Sequence, residues 1–161
     1  MSELTLILLA AGESNRFKLP VKKQWLRVDH DPLWHFVTKK LFETGKFKKI
    51  IITAHKDEVT FMHNFSDFEI IEGGSTRQES LKNALKEVKS DYVLVSDIAR
   101  ACISDDLLEK IVDSHSNADS IVPYLNVSDT ITYNNKTIER EHVKRIQTPQ
   151  LSRTEILKKS A

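Results

Sequence analysis

The sequence predicts an α/β protein: a three-layer, Rossmann-like sandwich on a mostly parallel sheet, with a protruding β-arm. Three observations point there. Short continuous runs of Leu, Ile and Val recur along the chain, as strands buried on both faces require. Segments with helical spacing of apolar residues separate these runs at βαβ distances, which implies right-handed crossovers. Polar loops bearing Gly, Lys, Arg or Asp follow several of the runs directly, where open parallel sheets bind their ligands.

The elements follow in order. Residues 4–10 form an apolar run closed by Gly12, a buried strand. Asp31 then Pro32 read as an N-cap and first helical position, ahead of Leu33, Phe36, Val37 and Leu41 at helical spacing, with Gly45 as the stop. Residues 49–54 are a second strand, 57–65 a short helix, and 68–72 a third strand ending at Gly73-Gly74. Ser75 to Gln78 has the spacing of a capping box before a helix with Leu81, Ala84, Leu85 and Val88 on one face. Residues 92–95 make the fourth strand, leading into Ser96-Asp97. Ser104 caps a helix with Leu107, Leu108, Ile111 and Val112, and residues 120–122 make a fifth strand.

Residues 127–140 break this rhythm. Thr130 and Thr132 alternate with Ile131 and Tyr133, and Asn134-Asn135-Lys136 supplies a turn. Such a polar hairpin is marginal by itself in water, so its expected role is to dock, most simply on a second copy of the chain; a floppy surface hairpin is the alternative. Ser152 to Glu155 reads as a further capping box, and the helix it opens runs to Ala161 without a stop signal. The expectation is one domain over residues 1–161, cut within its last element.

Composition narrows the class. The 161 residues carry 24 Lys plus Arg against 23 Asp plus Glu, a net charge of +1, which argues against a nucleic-acid module. The longest apolar run, residues 4–11, falls far short of the roughly 20 needed to span a bilayer and has no basic leader, so no membrane association and a cytoplasmic location are expected. Cys102 is the sole cysteine, which excludes an intrachain disulfide framework, and its apolar neighbours predict burial. The 6 histidines show no paired zinc spacing.

Three loops carry candidate chemistry. After the first strand, Ala10, Ala11 and Gly12 let a ligand approach the backbone, whose N–H groups cradle phosphate oxygens. Arg16 offers a planar fork of donors and Lys23 a compact charge. The loop is neither a Walker A nor a dinucleotide fingerprint; an ordinary strand-to-helix turn with solvated basic residues is the alternative. After the third strand, Gly73-Gly74-Ser75 permits close approach, and Ser80 in the following helix can address a base edge; simple chain turning and capping is the alternative. After the fourth strand, Asp97 is placed to hold Mg²⁺ bridged to phosphates, and Arg100 to meet a second anion; the alternative for Asp97 is a helix cap.

Taken in order, the motifs L-A-A-G-E-S-N-R-F, K-K-Q-W-L, E-G-G-S-T-R-Q-E-S, V-S-D-I-A-R and I-Q-T-P-Q resemble the 2-C-methyl-D-erythritol 4-phosphate cytidylyltransferase family, from about Leu6 to Gln150. The similarity is greatest to the compact version fused to a cyclodiphosphate synthase. The resemblance implies a nucleotidyltransferase sandwich that makes CDP-methylerythritol and pyrophosphate from CTP and methylerythritol phosphate, in non-mevalonate isoprenoid synthesis. It assigns Arg16 and Lys23 to the triphosphate and transition state. Ala10, Ala11, Gly12, Gly74, Ser75 and Ser80 go to the nucleoside, and Asp97 to Mg²⁺. Thr130, Arg140 and Thr148 go to the methylerythritol phosphate, with Thr130 and Arg140 reaching in from the arm of a second copy in a homodimer. Leu9, Asn15, Ser75 and Ala101 depart from the family's usual proline, arginine, aspartate and proline. Two alternatives are a non-catalytic nucleotide-binding or dimerising fragment, and a nucleotidyltransferase for another polyol or sugar phosphate.

Overall fold

A computed structural model describes residues 3–14, 18 and 20–161. Four parallel strands form the centre of its main sheet: β1 (Leu4–Leu9), β4 (Lys49–Ala54), β5 (Glu69–Glu72) and β6 (Tyr92–Asp97). Between β1 and β4 lie the short antiparallel pair β2 (Arg27–Val28) and β3 (Asp31–Pro32) and the helix α1 (Leu33–Glu43). Helices α2 (Lys56–His63), α3 (Arg77–Lys86) and α4 (Asp105–Asp113) follow β4, β5 and β6 in turn. Beyond α4 come β7 (Ser120–Ile121), β8 (Tyr124–Asn126), β9 (Ile131–Tyr133), β10 (Lys136–Ile138), β11 (Lys144–Ile146), β12 (Gln150–Arg153) and α5 (Thr154–Ser160). The order across the sheet is β5-β4-β1-β6-β12-β7, with β12 antiparallel to both neighbours.

Alternation along β1 explains the layers. Leu4, Leu6 and Leu8 face one side, where they meet Trp34, Val37 and Leu41 of α1, Met62 of α2 and Leu108 and Ile111 of α4. Ile7 and Leu9 face the other, against Ala84 and Leu85 of α3 and Leu157 of α5. Every residue of β1 is buried, so the run is apolar on both faces, as a central parallel strand demands. The one polar member, Thr5, is satisfied by the Ser90 hydroxyl at 2.7 Å.

The predicted α/β sandwich is therefore present, and the helix caps need correction. Helix α1 starts at Leu33, not at Pro32. Asp31 and Pro32 pair instead with β2, the Leu33 N–H donates to the Leu26 carbonyl at 2.7 Å, and the Asp31 carboxylate meets the His35 ring. Thr76 rather than Ser75 caps α3: its hydroxyl accepts from Glu79 N, while the Glu79 carboxylate reaches back to both N and Oγ of Ser75 at 2.7 Å. The ionised side chain at position 79 is a stronger acceptor than Gln78, which shifts the box by one residue. Ser152 does not cap α5. It lies in β12, where its hydroxyl meets Ser120 Oγ at 2.8 Å, and sheet pairing claims it first. Ser104 does cap α4, accepting from Leu107 N.

Cys102 is exposed, against expectation, because it falls in the turn between β6 and α4, while its neighbour Ile103 is the residue that enters the core. The hairpin turn is as predicted, with Asn134 and Asn135 both at positive φ (50° and 60°), the backbone that a two-residue loop requires. The protrusion is longer than residues 127–140, since β8 and β11 pair antiparallel beneath the β9–β10 hairpin.

Candidate functional site

From β1 the chain crosses to β4 on one side, and later to β6 on the other. This divergence leaves a crevice beyond the carboxyl ends of the strands, the place where such sheets bind ligands. The crevice is a cleft of about 1610 Å³ whose lining includes Ala10 to Ser14, Lys23, Gln24, His55, Lys56, Gly73 to Arg77, Ser80 and Asp97 to Arg100. All three predicted loops thus meet in one place.

In the first loop Ala10 is buried and donates its N–H to the Thr53 carbonyl, continuing the β1–β4 ladder. Among the described residues nothing lies within 4 Å of where a Cβ on Gly12 would stand, so none of them blocks a ligand from that backbone. Ser14, at φ 56°, turns its hydroxyl to accept from Lys23 N at 3.0 Å. That contact ties the loop to the single 3₁₀ turn over Lys23–Trp25. Lys23 reaches the cleft with its ammonium unpaired among the described residues. Arg16 lies outside the described residues.

Behind Lys23 stands a second basic residue in a different state. Lys22 pairs with Glu13 at 3.3 Å and Glu58 at 3.2 Å. Burial works against its charge, but hydrogen bonds and attraction to these two carboxylates prevail and raise its pKa above the usual 10.5.

The second loop is shaped by close contacts. A Cβ on Gly73 would stand 2.5 Å from the Ala11 Cβ and 2.8 Å from Ser80 Oγ, so only glycine fits between the first two loops. Ser80 is buried, and its hydroxyl accepts from Gly74 N at 2.9 Å and donates to the Thr76 carbonyl at 3.0 Å. It therefore builds the glycine turn from within the protein. Ser75 is occupied by Glu79, which these hydrogen bonds hold below the usual 4.5.

At the third loop, Asp97 Oδ1 accepts from Arg77 Nε at 3.2 Å and Oδ2 from Thr148 Oγ1 at 3.2 Å. Arg100 Nε donates to Thr148 Oγ1 at 3.1 Å and its Nη2 to Gln147 Oε1 at 2.9 Å. Thr148 reaches Asp97 because β12 runs beside β6. Asp97 is a hard oxygen donor, partly exposed at the cleft, and such a carboxylate suits a divalent cation that takes its other ligands from phosphates and water. No cluster of three His, Cys, Asp or Glu exists among the described residues to hold a metal by protein ligands alone. Thr130 and Arg140 lie elsewhere, on the arm, where Arg140 bonds the Ser128 carbonyl.

Sequence reasoning overlooked Arg77, Gln147, Gln24 and Glu58. The first three sit inside motifs read for their neighbours, and nothing local marks Glu58. No helix among the described residues is long and apolar enough to cross a membrane.

A glycine-walled cleft with unengaged positive charge at the switch point of a parallel sheet suits an anionic ligand. The fold is that of the nucleotidyltransferases. The model of the family described as IspD, 2-C-methyl-D-erythritol 4-phosphate cytidylyltransferase, matches residues 4–161, and the chain belongs to that family. It is 58% identical over 155 residues to the bifunctional enzyme IspD/IspF of Sulfurimonas denitrificans, covering 96% of this chain and 40% of that protein. The structure of the bifunctional IspDF from Campylobacter jejuni superposes with a TM-score of 0.93 at 48% identity, over 99% of this chain and 43% of that one. A 4-diphosphocytidyl-2C-methyl-D-erythritol synthase from Anaerococcus prevotii has the same fold, with a TM-score of 0.81 at 22% identity over 98% of this chain and 74% of that one. The chain spans about two-fifths of the length of the curated relatives it matches.

Proposed function

We propose that residues 1–161 act as one cytidylyltransferase domain, transferring CMP from CTP to 2-C-methyl-D-erythritol 4-phosphate and releasing pyrophosphate. The observation that carries this reading is the convergence of Lys23, the Gly73-Gly74 turn and the Asp97–Thr148–Arg100 group on one cleft, in a chain of that family.

In the reaction an oxygen of the methylerythritol phosphate attacks the α-phosphorus of CTP. The bond from that phosphorus to the bridging oxygen breaks, and the electron pair leaves with pyrophosphate. The attacking oxygen is already anionic, so no protein base is required. The protein's task is positioning and charge stabilisation. Lys23 stands ready for the triphosphate, with Arg16 assigned beside it by the family pattern. Ala10, Ala11, Gly12, Gly74, Ser75 and Ser80 form the walls for the nucleoside. Thr148 and Arg100 meet the acceptor phosphate. Nucleotidyltransferases of this family generally depend on a divalent metal. Asp97 would hold it, as Mg²⁺, where it would offset phosphate charge.

Thr130 and Arg140 enter this scheme only from a second copy. The arm bears exposed Tyr124, Leu125, Tyr133 and Ile146, apolar surface suited to an interface and supporting a homodimer. Sedimentation showing a monomer at high concentration would remove this part. The reaction is tested by pyrophosphate release with CTP, Mg²⁺ and methylerythritol phosphate, with ATP, GTP and UTP as controls. Release that needs both CTP and the polyol supports the reading, and release with another nucleotide or without the polyol overturns it.

A further inference from the structure

Glu58, on α2, lies outside every motif and lines no part of the cleft, yet its carboxylate gathers donors from one short turn. Trp25 Nε1 donates to Oε1 at 3.0 Å, Gln24 Nε2 donates to Oε2 at 3.1 Å, and Lys22 Nζ pairs with Oε1 at 3.2 Å. Its side chain is 14% exposed. These three donors flank the one residue of the turn that makes no such bond, Lys23.

The local geometry explains the division. A 3₁₀ turn repeats every three residues, so Lys22 and Trp25 fall on the same side and Lys23 does not. With 22, 24 and 25 fastened to α2, Lys23 is the residue of the turn that brings a charge free of partners among the described residues to the cleft. The fastening extends to the first loop, because Gln24 Nε2 also approaches the Gly12 carbonyl at 3.4 Å and Ser14 Oγ approaches Gln24 Oε1 at 3.4 Å. The Trp25 ring also packs against Phe61 and Phe65, at 5.2 and 6.2 Å between ring centres. A part-buried carboxylate with charged and neutral donors in place is a rigid anchor, and without it the side chains of Lys22, Gln24 and Trp25 lose the acceptor they share.

We propose that Glu58 is a positioning residue: it clamps the turn over Lys23–Trp25 to α2 so that the Lys23 ammonium stands at the transferred phosphate. This rests on the reading of Lys23 as a triphosphate ligand. Misplacing a charge-stabilising group by about an ångström costs on the order of 100-fold in rate.

The test uses the full-length protein and Glu58→Ala and Glu58→Gln. Expected is a fall in kcat of about 100-fold for E58A and about 10-fold for E58Q, with KM for CTP within about threefold of wild type. In a K23A background E58A should add little, because the two changes remove one function. In the ¹⁵N–¹H spectrum of E58Q the Trp25 indole resonance should move, and by more than that of Trp34, whose Nε1 has no hydrogen-bond partner among the described residues and whose ring meets Trp25 edge-on at 6.2 Å. Should E58A not fold, E58Q decides by the same criteria. Folded E58Q with kcat within about twofold of wild type, or E58A and K23A effects that simply multiply, overturns the clamp while leaving the functional reading intact. A wild-type protein that releases no pyrophosphate overturns that reading and the clamp with it.

Discussion

Arg77 Nε lies 3.2 Å from Asp97 Oδ1, which joins the start of α3 to the end of β6 across the cleft. The contact brings a cation to the carboxylate that also receives Thr148, so Asp97 is oriented from two sides before any ligand arrives. Replacing it isosterically removes charge and leaves shape. Asp97→Asn should lower kcat/KM for methylerythritol phosphate by on the order of 100-fold, with a melting temperature close to wild type. Steady-state pyrophosphate release and a thermal melt check both halves.

Lys23→Ala removes an ammonium of the cleft that is unpaired among the described residues. Its kcat should fall by on the order of 100- to 1000-fold while the circular dichroism spectrum stays native, since the side chain bonds nothing among the described residues. Near-normal turnover would withdraw the role assigned to Lys23.

Gly73 and Ala11 are the tightest joint between the first two loops. In Gly73→Ala the new methyl would meet the Ala11 Cβ at 2.5 Å, and neither group has a rotamer to yield. The loops must separate, and CTP affinity measured by calorimetry should weaken at least about tenfold, equivalent to about 1.4 kcal/mol. Gly12→Ala meets nothing within 4 Å among the described residues, so its melting temperature should match wild type.

The turn after β5 should carry a pH signature. Hydrogen bonds from Ser75 hold the Glu79 carboxyl below its usual 4.5. A depressed folded pKa contributes stability above the unfolded value, and that stability is lost as pH falls through the folded one. Wild type should therefore exceed Glu79→Gln in denaturant midpoint at neutral pH, and the difference should shrink below about pH 4.5. A difference that does not vary with pH would assign it to packing instead.

Leu94 on β6 is 1% exposed and packs within the larger of the two apolar layers. Leu94→Ala should cost about 2–5 kcal/mol, read as the shift of a urea transition at unchanged slope.

The parallel strands were legible because β1, β4 and β6 are buried on both faces, and burial on both faces writes itself as an unbroken apolar run. Strand β12 left no such mark: Gln150, Ser152 and Arg153 are polar, and they enter the sheet because β6 offers a free edge. That same competition took Ser152 from its expected cap and Asp31 from its own. Local capping signals are worth about 1 kcal/mol and yield when strand pairing claims the residue.

The sequence by itself determined the class of fold, the loops that meet at the cleft and the family, because these depend on periodicity and on the residue types within short motifs. Only the tertiary structure decided which side chains act together. Thr148 meets Asp97 across 51 positions and Glu58 meets Gln24 across 34. Contacts over such distances depend on how strands are ordered and how helices are laid against them, which no local pattern encodes. The exposure of Cys102 has the same origin: its apolar neighbours promised burial, and the direction of the turn after β6 sent Ile103 inward in its place.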